Sequence, residues 1–204
     1  MKIIIIGAGF SGVATYLLLR RMCPPPEHTI LLCDAHDPRE VRRRSDRDGL
    51  ALSPDGSVRD SAAVVGNIIS LEPPAVRLVR FIDPKLCETF KARSYVNTHY
   101  ILRSARGHTL AVVPTADGNL PVEYTLSCPR FDSWQWLHEH VGYTSICYRR
   151  VVEVNLDGER PVVYFADGGR EDADLVVGAD GVRSVVKKAL FSHEDQSKYE
   201  PQFE

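Results

Sequence analysis

The chain has 204 residues, 44% of them hydrophobic and 25% charged, a balance that supports a sizeable core and one or two domains. Its formal net charge of −2 provides no global field to hold nucleic acid or an anionic membrane. The longest apolar run, Ile3–Ile6 extended through Gly7 and Ala8, is too short to span a bilayer and leads into a glycine-rich turn, not a cleavage-type site. Five cysteines, odd in number and without a C-x-x-C pair, read as reduced thiols of a cytoplasmic protein.

Lys2–Ile6 is a β-branched run bounded by glycine, which predicts a strand buried on both faces. Phe10–Met22 follows as a helix, with Val13, Ala14, Leu17 and Leu18 on one stripe and Arg20 and Arg21 near its end. Pro24, Pro25 and Pro26 stop it. Thr29–Cys33 is a second apolar run ending in Asp34, and strand, helix, strand at this spacing is a βαβ unit with a parallel sheet. From Asp37 to Asp60 the chain is polar, and its Arg42–Arg44 run, beside Asp46 and Asp48, reads as a solvated loop at least as readily as a phosphate clamp.

Ser61–Leu71 reads as a helix, punctuated by Glu72–Pro74. Strand signals then run over Val76–Ile82, Tyr95–Leu102, Leu110–Val113 and Val122–Leu126, with turns at Arg106-Gly107 and Asp117-Gly118. Phe131–His140 returns to helix, and Ile146–Tyr148, Val151–Asn155, Pro161–Phe165 and Asp174–Val177 return to strand, the middle two joined at Asp157-Gly158. The expected fold is α/β. A Rossmann-like domain with a parallel sheet and a β-meander is assembled from 1–74 and 129–204, around an antiparallel substrate-side insert at 75–128.

Gly7-Ala8-Gly9-Phe10-Ser11-Gly12 is a G-x-G-x-x-G placed directly after a strand and opening a helix. Gly7 allows the tight turn, Gly9 lets the backbone approach a pyrophosphate, and Gly12 lets helix and strand pack closely. The phosphates would meet the helix N-terminus, where amides and dipole favour anions. Asp34, followed by Ala35, stands about 20 residues on, where a carboxylate accepts from the adenosine ribose and disfavours a 2′-phosphate. The bound nucleotide is then FAD or NAD.

The segment from Asp174 to Ser184, with Gly178, Asp180, Gly181 and Arg183, resembles the "DG" fingerprint of the flavoprotein aromatic hydroxylase family. That family comprises FAD-dependent monooxygenases such as the hydroxybenzoate, salicylate and kynurenine hydroxylases. The likeness continues through Val185, Val186 and Lys187, where the family usually has arginine. Arg130 before Phe131–Leu137 is similar to the family's arginine that precedes a leucine-spaced helix and reaches the flavin nucleotide. The resemblance implies an FAD-binding domain, NADH or NADPH as transient co-substrate, and hydroxylation of a small aromatic or polyketide-like molecule with oxygen. The cofactor contacts it implies are Gly7, Ala8, Gly9, Phe10, Ser11, Gly12, Asp34, Ala35, Arg130, Asp180 and Gly181; it assigns no catalytic acid or base.

Two departures stand out. Where the family has a glycine-rich run near the isoalloxazine, Arg47–Pro54 keeps only Gly49. The family also continues into a second Gly-Asp motif, and this sequence stops at Glu204 before one. The chain is therefore expected to be a fragment, a truncated product or a degenerate relative that does not hydroxylate as it stands. A reductase, a halogenase or a non-catalytic flavoprotein would share the same motifs. His138 and His140, two apart on a helix, point to different faces, and no metal site is expected.

Overall fold

The computed structural model describes residues 1–23, 25–41, 68–115 and 124–192. The expectations for Arg42–Arg44, Arg47–Pro54, Ser61 to 67, Asp117-Gly118, residues 122–123 and the polar end beyond 192 lie outside them. In chain order the described strands are β1 (Lys2–Ile6), β2 (Thr29–Asp34), β3 (Ile68–Leu71), β4 (Tyr95–Asn97), β5 (His99–Arg103) and β6 (Thr109–Pro114). There follow β7 (Thr125–Pro129), β8 (Ile146–Tyr148), β9 (Val151–Asn155), β10 (Val162–Phe165), β11 (Arg170–Asp172) and β12 (Leu175–Gly178). The helices are α1 (Phe10–Met22), α2 (Pro73–Ile82), α3 (Pro84–Arg93), α4 (Arg130–Val141) and α5 (Val185–Leu190). None of them is long and apolar enough to cross a membrane.

The chain forms two compact units, Met1–Arg59 with Leu137–Glu204, and Asp60–Trp136. The second contains the 75–128 stretch read as an insert. The first is built on a sheet of order β12-β1-β2-β8 in which every pairing is parallel. Central β1 is buried from Ile3 to Ile6, as a strand covered on both faces must be. Ile4 and Ile6 pack with Cys33, with Val154, Val163, Phe165 and Ala173 of the β9–β10–β11 meander, and with Val186 of α5. Alternation along the strand turns Ile3 and Ile5 to the other face. There α1 joins β1 to β2, burying Gly12, Val13 and Tyr16. The helix has the predicted bounds, but its buried stripe differs: Ala14, Leu17 and Leu18 are only half-buried, and Tyr16 takes the inner position.

In the second unit β3, β7 and β4 pair antiparallel in the order β3-β7-β4, and β5 and β6 form a separate hairpin. Two expectations fail here. Ile68–Leu71 is a strand, paired to β7, and not the end of a helix. Val76–Ile82 is helical, because Pro73 and Pro74 start α2 where their missing amides cost nothing. Its Arg77 and Arg80 recur every three residues, leaving Val76, Val79 and Ile82 on the inner side. Helix α3 falls within the stretch read as strand-rich. Asp83 caps it, accepting from the amides of Lys85 at 2.8 Å and Leu86 at 3.4 Å, and it buries Leu86, Cys87 and Phe90. All five cysteines are free thiols.

A bidentate ion pair fixes the turn of the meander. Arg149 donates through Nε and Nη2 to Asp167 at 2.6 Å each, while its guanidinium lies 3.9 Å from the centre of the Phe165 ring. Asp167 also accepts from the Gly169 amide at 2.9 Å. These bonds, Arg149 first, hold the Asp167 carboxyl down at about 2. A depressed folded-state value means that this stabilisation is complete above the ordinary value of 3.8 and is lost as pH falls toward 2. Asp167→Asn should therefore flatten the acid limb between those values in urea melts taken across pH, with little effect on the slope above it.

Candidate dinucleotide site

Parallel pairing puts the carboxyl ends of all four strands of the β12-β1-β2-β8 sheet at one edge. β1 runs out into Gly7, β2 into Asp34, β8 into Tyr148 and β12 into Gly178. Such an edge is where open α/β sheets bind ligands. The ladder carries on into the loops, because the Gly7 amide donates to the Cys33 carbonyl at 2.8 Å and the Ala179 amide to the Ile6 carbonyl at 2.8 Å. Gly7 adopts φ +99°, and a Cβ there would fall within the radius of the Ala179 carbonyl oxygen. A Cβ on Gly12 would collide with the Gly7 carbonyl. Both positions are glycine because the chain's own backbone fills the space. Gly9 is different: among the described residues a Cβ there meets no atom within 4 Å, and its φ of −77° suits any residue.

Between Gly7 and Gly9, the Ala8 peptide groups are gripped on two sides. Asp34 Oδ2 accepts from the Ala8 amide at 2.7 Å, and its Oδ1 accepts from the His36 amide at 2.8 Å. The Ala8 carbonyl lies 2.8 Å from Nε2 of His138, which must be the donor because a carbonyl can only accept. Nδ1 of that ring is then free of a proton and accepts from the Tyr148 hydroxyl at 2.9 Å. The two rings stack with centroids 5.8 Å apart. His138 is wholly buried, and burial lowers its pKa, while burial raises that of Tyr148. Both rings are thereby kept neutral. Beside them Arg39 sits 4.4 Å from the Tyr143 ring and pairs with Asp37 at 2.5 Å.

The opening turn of α1 carries no acidic residue, and its N-cap, Gly9, supplies no side-chain acceptor. Its first amides therefore present positive partial charge without a built-in counter-charge. Phe10 is half-buried and Ser11 exposed at this end. After β12, Asp180 Oδ2 accepts from the Val185 amide at 2.6 Å and helps open α5, whose cap is Ser184. Asp180 Oδ1 is buried, and among the described residues it has no partner. Gly181, at φ +78°, is exposed with open space around it. Ala35 is exposed beside Asp34. Arg130 is exposed at the first position of α4, in the second unit.

No family model matches the chain. It is 39% identical over 148 residues to the FAD-dependent monooxygenase pigN of Monascus ruber, covering 66% of this chain and 33% of that protein. The chain is similar to FAD-dependent monooxygenases. The chloroplastic zeaxanthin epoxidase of Nicotiana plumbaginifolia is also similar, at 39% identity over 83 residues, 40% of this chain and 12% of the epoxidase. The chain thus spans about a third of the length of the first of these proteins and less of the second. Its fold matches Klebsiella pneumoniae HpxO, solved with FAD and uric acid, with a TM-score of 0.65 at 17% identity. That match covers 92% of this chain and 41% of HpxO.

His138 and Tyr148 were not signalled by the sequence as parts of this edge. The only hint lies in His138 itself, a polar residue next to Leu137 on the inner side of a helix, which a packed interior tolerates only with partners. The contrast among the glycines is directly testable in the ligand-free protein. Gly12→Ala should cost roughly 1–3 kcal/mol or more by overpacking. Gly9→Ala should change stability by less than about 1 kcal/mol, since the unfolded-state gain of about 0.4–1 kcal/mol is offset by alanine's poorer fit to an N-cap. Urea midpoints of the two variants decide the matter.

Proposed function

We propose that the first unit binds FAD by its adenosine–pyrophosphate end, as the dinucleotide-binding portion of a monooxygenase acting on a small organic molecule. The observation that carries this reading is the open, uncapped start of α1: among the described residues no atom lies within 4 Å of a Cβ placed on Gly9, which leaves room for a pyrophosphate against the first amides of the helix. The surrounding groups fit. The uncapped start of α1 offers amides to a pyrophosphate, with Phe10 and Ser11 in its first turn. Asp34, with both oxygens already orienting backbone amides, keeps lone pairs for ribose hydroxyls, and Ala35 beside it adds no bulk. The unpartnered oxygen of Asp180 suits a hydroxyl or a water bridging to the nucleotide, with Gly181 leaving room for it. Arg130 is assigned to the same nucleotide by its family resemblance.

Bound flavin would take a hydride from NADH or NADPH and activate oxygen, chemistry that belongs to the cofactor. The residues of this chain bind, orient and exclude water; none is given a proton-transfer role. Similarity to a monooxygenase and to zeaxanthin epoxidases supports insertion of one oxygen atom, into an aromatic or polyketide-like substrate in our reading. The free thiols, three of them buried, support a reducing compartment such as the cytoplasm.

Gly9→Val tests the site. The branched side chain has room in the protein but would occupy the pyrophosphate's approach. Titration of FAD followed by flavin fluorescence should show affinity at least tenfold weaker, about 1.4 kcal/mol, with the urea midpoint unchanged. Equal affinity in the variant would remove the loop from the site. In the full-length protein, substrate-dependent NAD(P)H oxidation with oxygenated product would establish the reaction.

A further inference from the structure

We propose that His138, backed by Tyr148, is a positioning residue for the dinucleotide loop: its Nε2–H holds the Ala8 carbonyl so that the amides beyond it stay aimed outward. The ligand half of this statement rests on the flavin reading above; the loop half does not. Three observations carry it. His138 is fully buried, and its Nε2 reaches a backbone carbonyl inside the Gly7–Gly12 loop, 130 positions away in sequence. The Ala8 carbonyl, which can only accept, sets the ring proton on Nε2, and the Tyr148 hydroxyl supports that tautomer from behind by donating to Nδ1. Tyr148 is itself fixed opposite Asp34 in the β2–β8 register. One pair of strand ends therefore supplies both grips on the loop, Asp34 directly on the Ala8 amide and Tyr148 through His138 on the Ala8 carbonyl.

A loop of glycines needs such restraint. Each Gly has more conformational freedom to lose than any other residue, and Gly7 and Gly9 flank the one position with a side chain too small to anchor itself. Pinning both polar groups of Ala8 restricts that freedom before a ligand arrives, which lowers the ordering cost of binding.

The test uses the whole chain, with His138→Leu, His138→Gln and Tyr148→Phe compared by two readouts. The first is backbone amide exchange, without ligand, at Ala8 and Val13, whose amides donate to Asp34 and to the Gly9 carbonyl, with Val163 in the meander as an internal reference. The second is FAD affinity. His138→Leu should speed exchange in the loop but not at Val163, and weaken FAD binding by roughly 2- to 13-fold, the range for a net hydrogen bond of about 0.5–1.5 kcal/mol. The amide of His138→Gln can reach the Ala8 carbonyl in place of Nε2, so this variant should recover affinity to within about twofold of wild type. Tyr148→Phe should fall between them, and nitrogen NMR of the imidazole should show Nε2 protonated in the wild type and a mixture of tautomers in Tyr148→Phe. Unchanged loop exchange in His138→Leu, equal slowing or speeding at Val163, or a Gln variant no better than Leu would overturn the clamp. Faster loop exchange in a chain that binds no FAD even as wild type would uphold the clamp and overturn the flavin reading.

Discussion

The close packing of two backbone segments at the carboxyl edge of the parallel sheet is the constraint from which the site follows. Gly7 passes against Ala179 and Gly12 against Gly7 so tightly that no side chain fits at either glycine. That contact locks the first turn after β1 to the first turn after β12, bringing sequence positions 7 and 179 together. With β2 and β8 in parallel register beside them, Asp34 and Tyr148 are carried to the same edge. None of these residues needs a special local conformation to arrive there, apart from the positive φ that glycine supplies at 7 and 181.

On this frame the polar groups that grip the loop after β1 are each answered by a partner. An unpaired buried acceptor or donor costs about 1–3 kcal/mol. The Ala8 carbonyl meets that demand with His138, and His138 meets its own with Tyr148. Asp34 divides its two oxygens between two amides, a geometry that holds the turn after β2 as firmly as the loop after β1. Asp180 breaks the pattern: one oxygen opens α5 and the other is buried with no partner among the described residues. A carboxylate oxygen in that state would be stabilised by a hydroxyl or an ordered water within reach.

Much of this edge was legible in the sequence because its determinants are local. The run Lys2–Ile6, the glycine spacing and the prolines after Met22 each act within a few residues, and β1 and α1 have the predicted bounds. Two of the meander strands, β9 and β10, with their turn at Asp157-Gly158, were readable for the same reason, whereas β11, the short polar run Arg170–Asp172, was not. Where local signals conflict, the sequence misleads. Val76–Ile82 is as β-branched and apolar as many strands, and its helical state is set by the two prolines before it and by the threefold spacing of Arg77 and Arg80. Helix α3 hides its start in Asp83, a cap that looks like any turn residue until its side chain is seen accepting from Lys85. The His138 contact could not have been read at all, because no periodicity links position 138 to position 8. Only the parallel pairing of β2 with β8, a long-range event, puts Tyr148 and Asp34 side by side.

The central claim is that the loop from Gly7 to Gly12, held from behind, presents its amides to a nucleotide pyrophosphate. The most direct measurement is titration of the labelled chain with ADP, which carries adenosine and pyrophosphate but no isoalloxazine, followed by amide NMR. The account predicts saturable shifts concentrated at Gly9, Phe10 and Ser11, with smaller ones at His36 and Gly181, and none along α3 of the second unit. Shifts spread over the second unit, or an unperturbed Gly9 at saturating ADP, would contradict it.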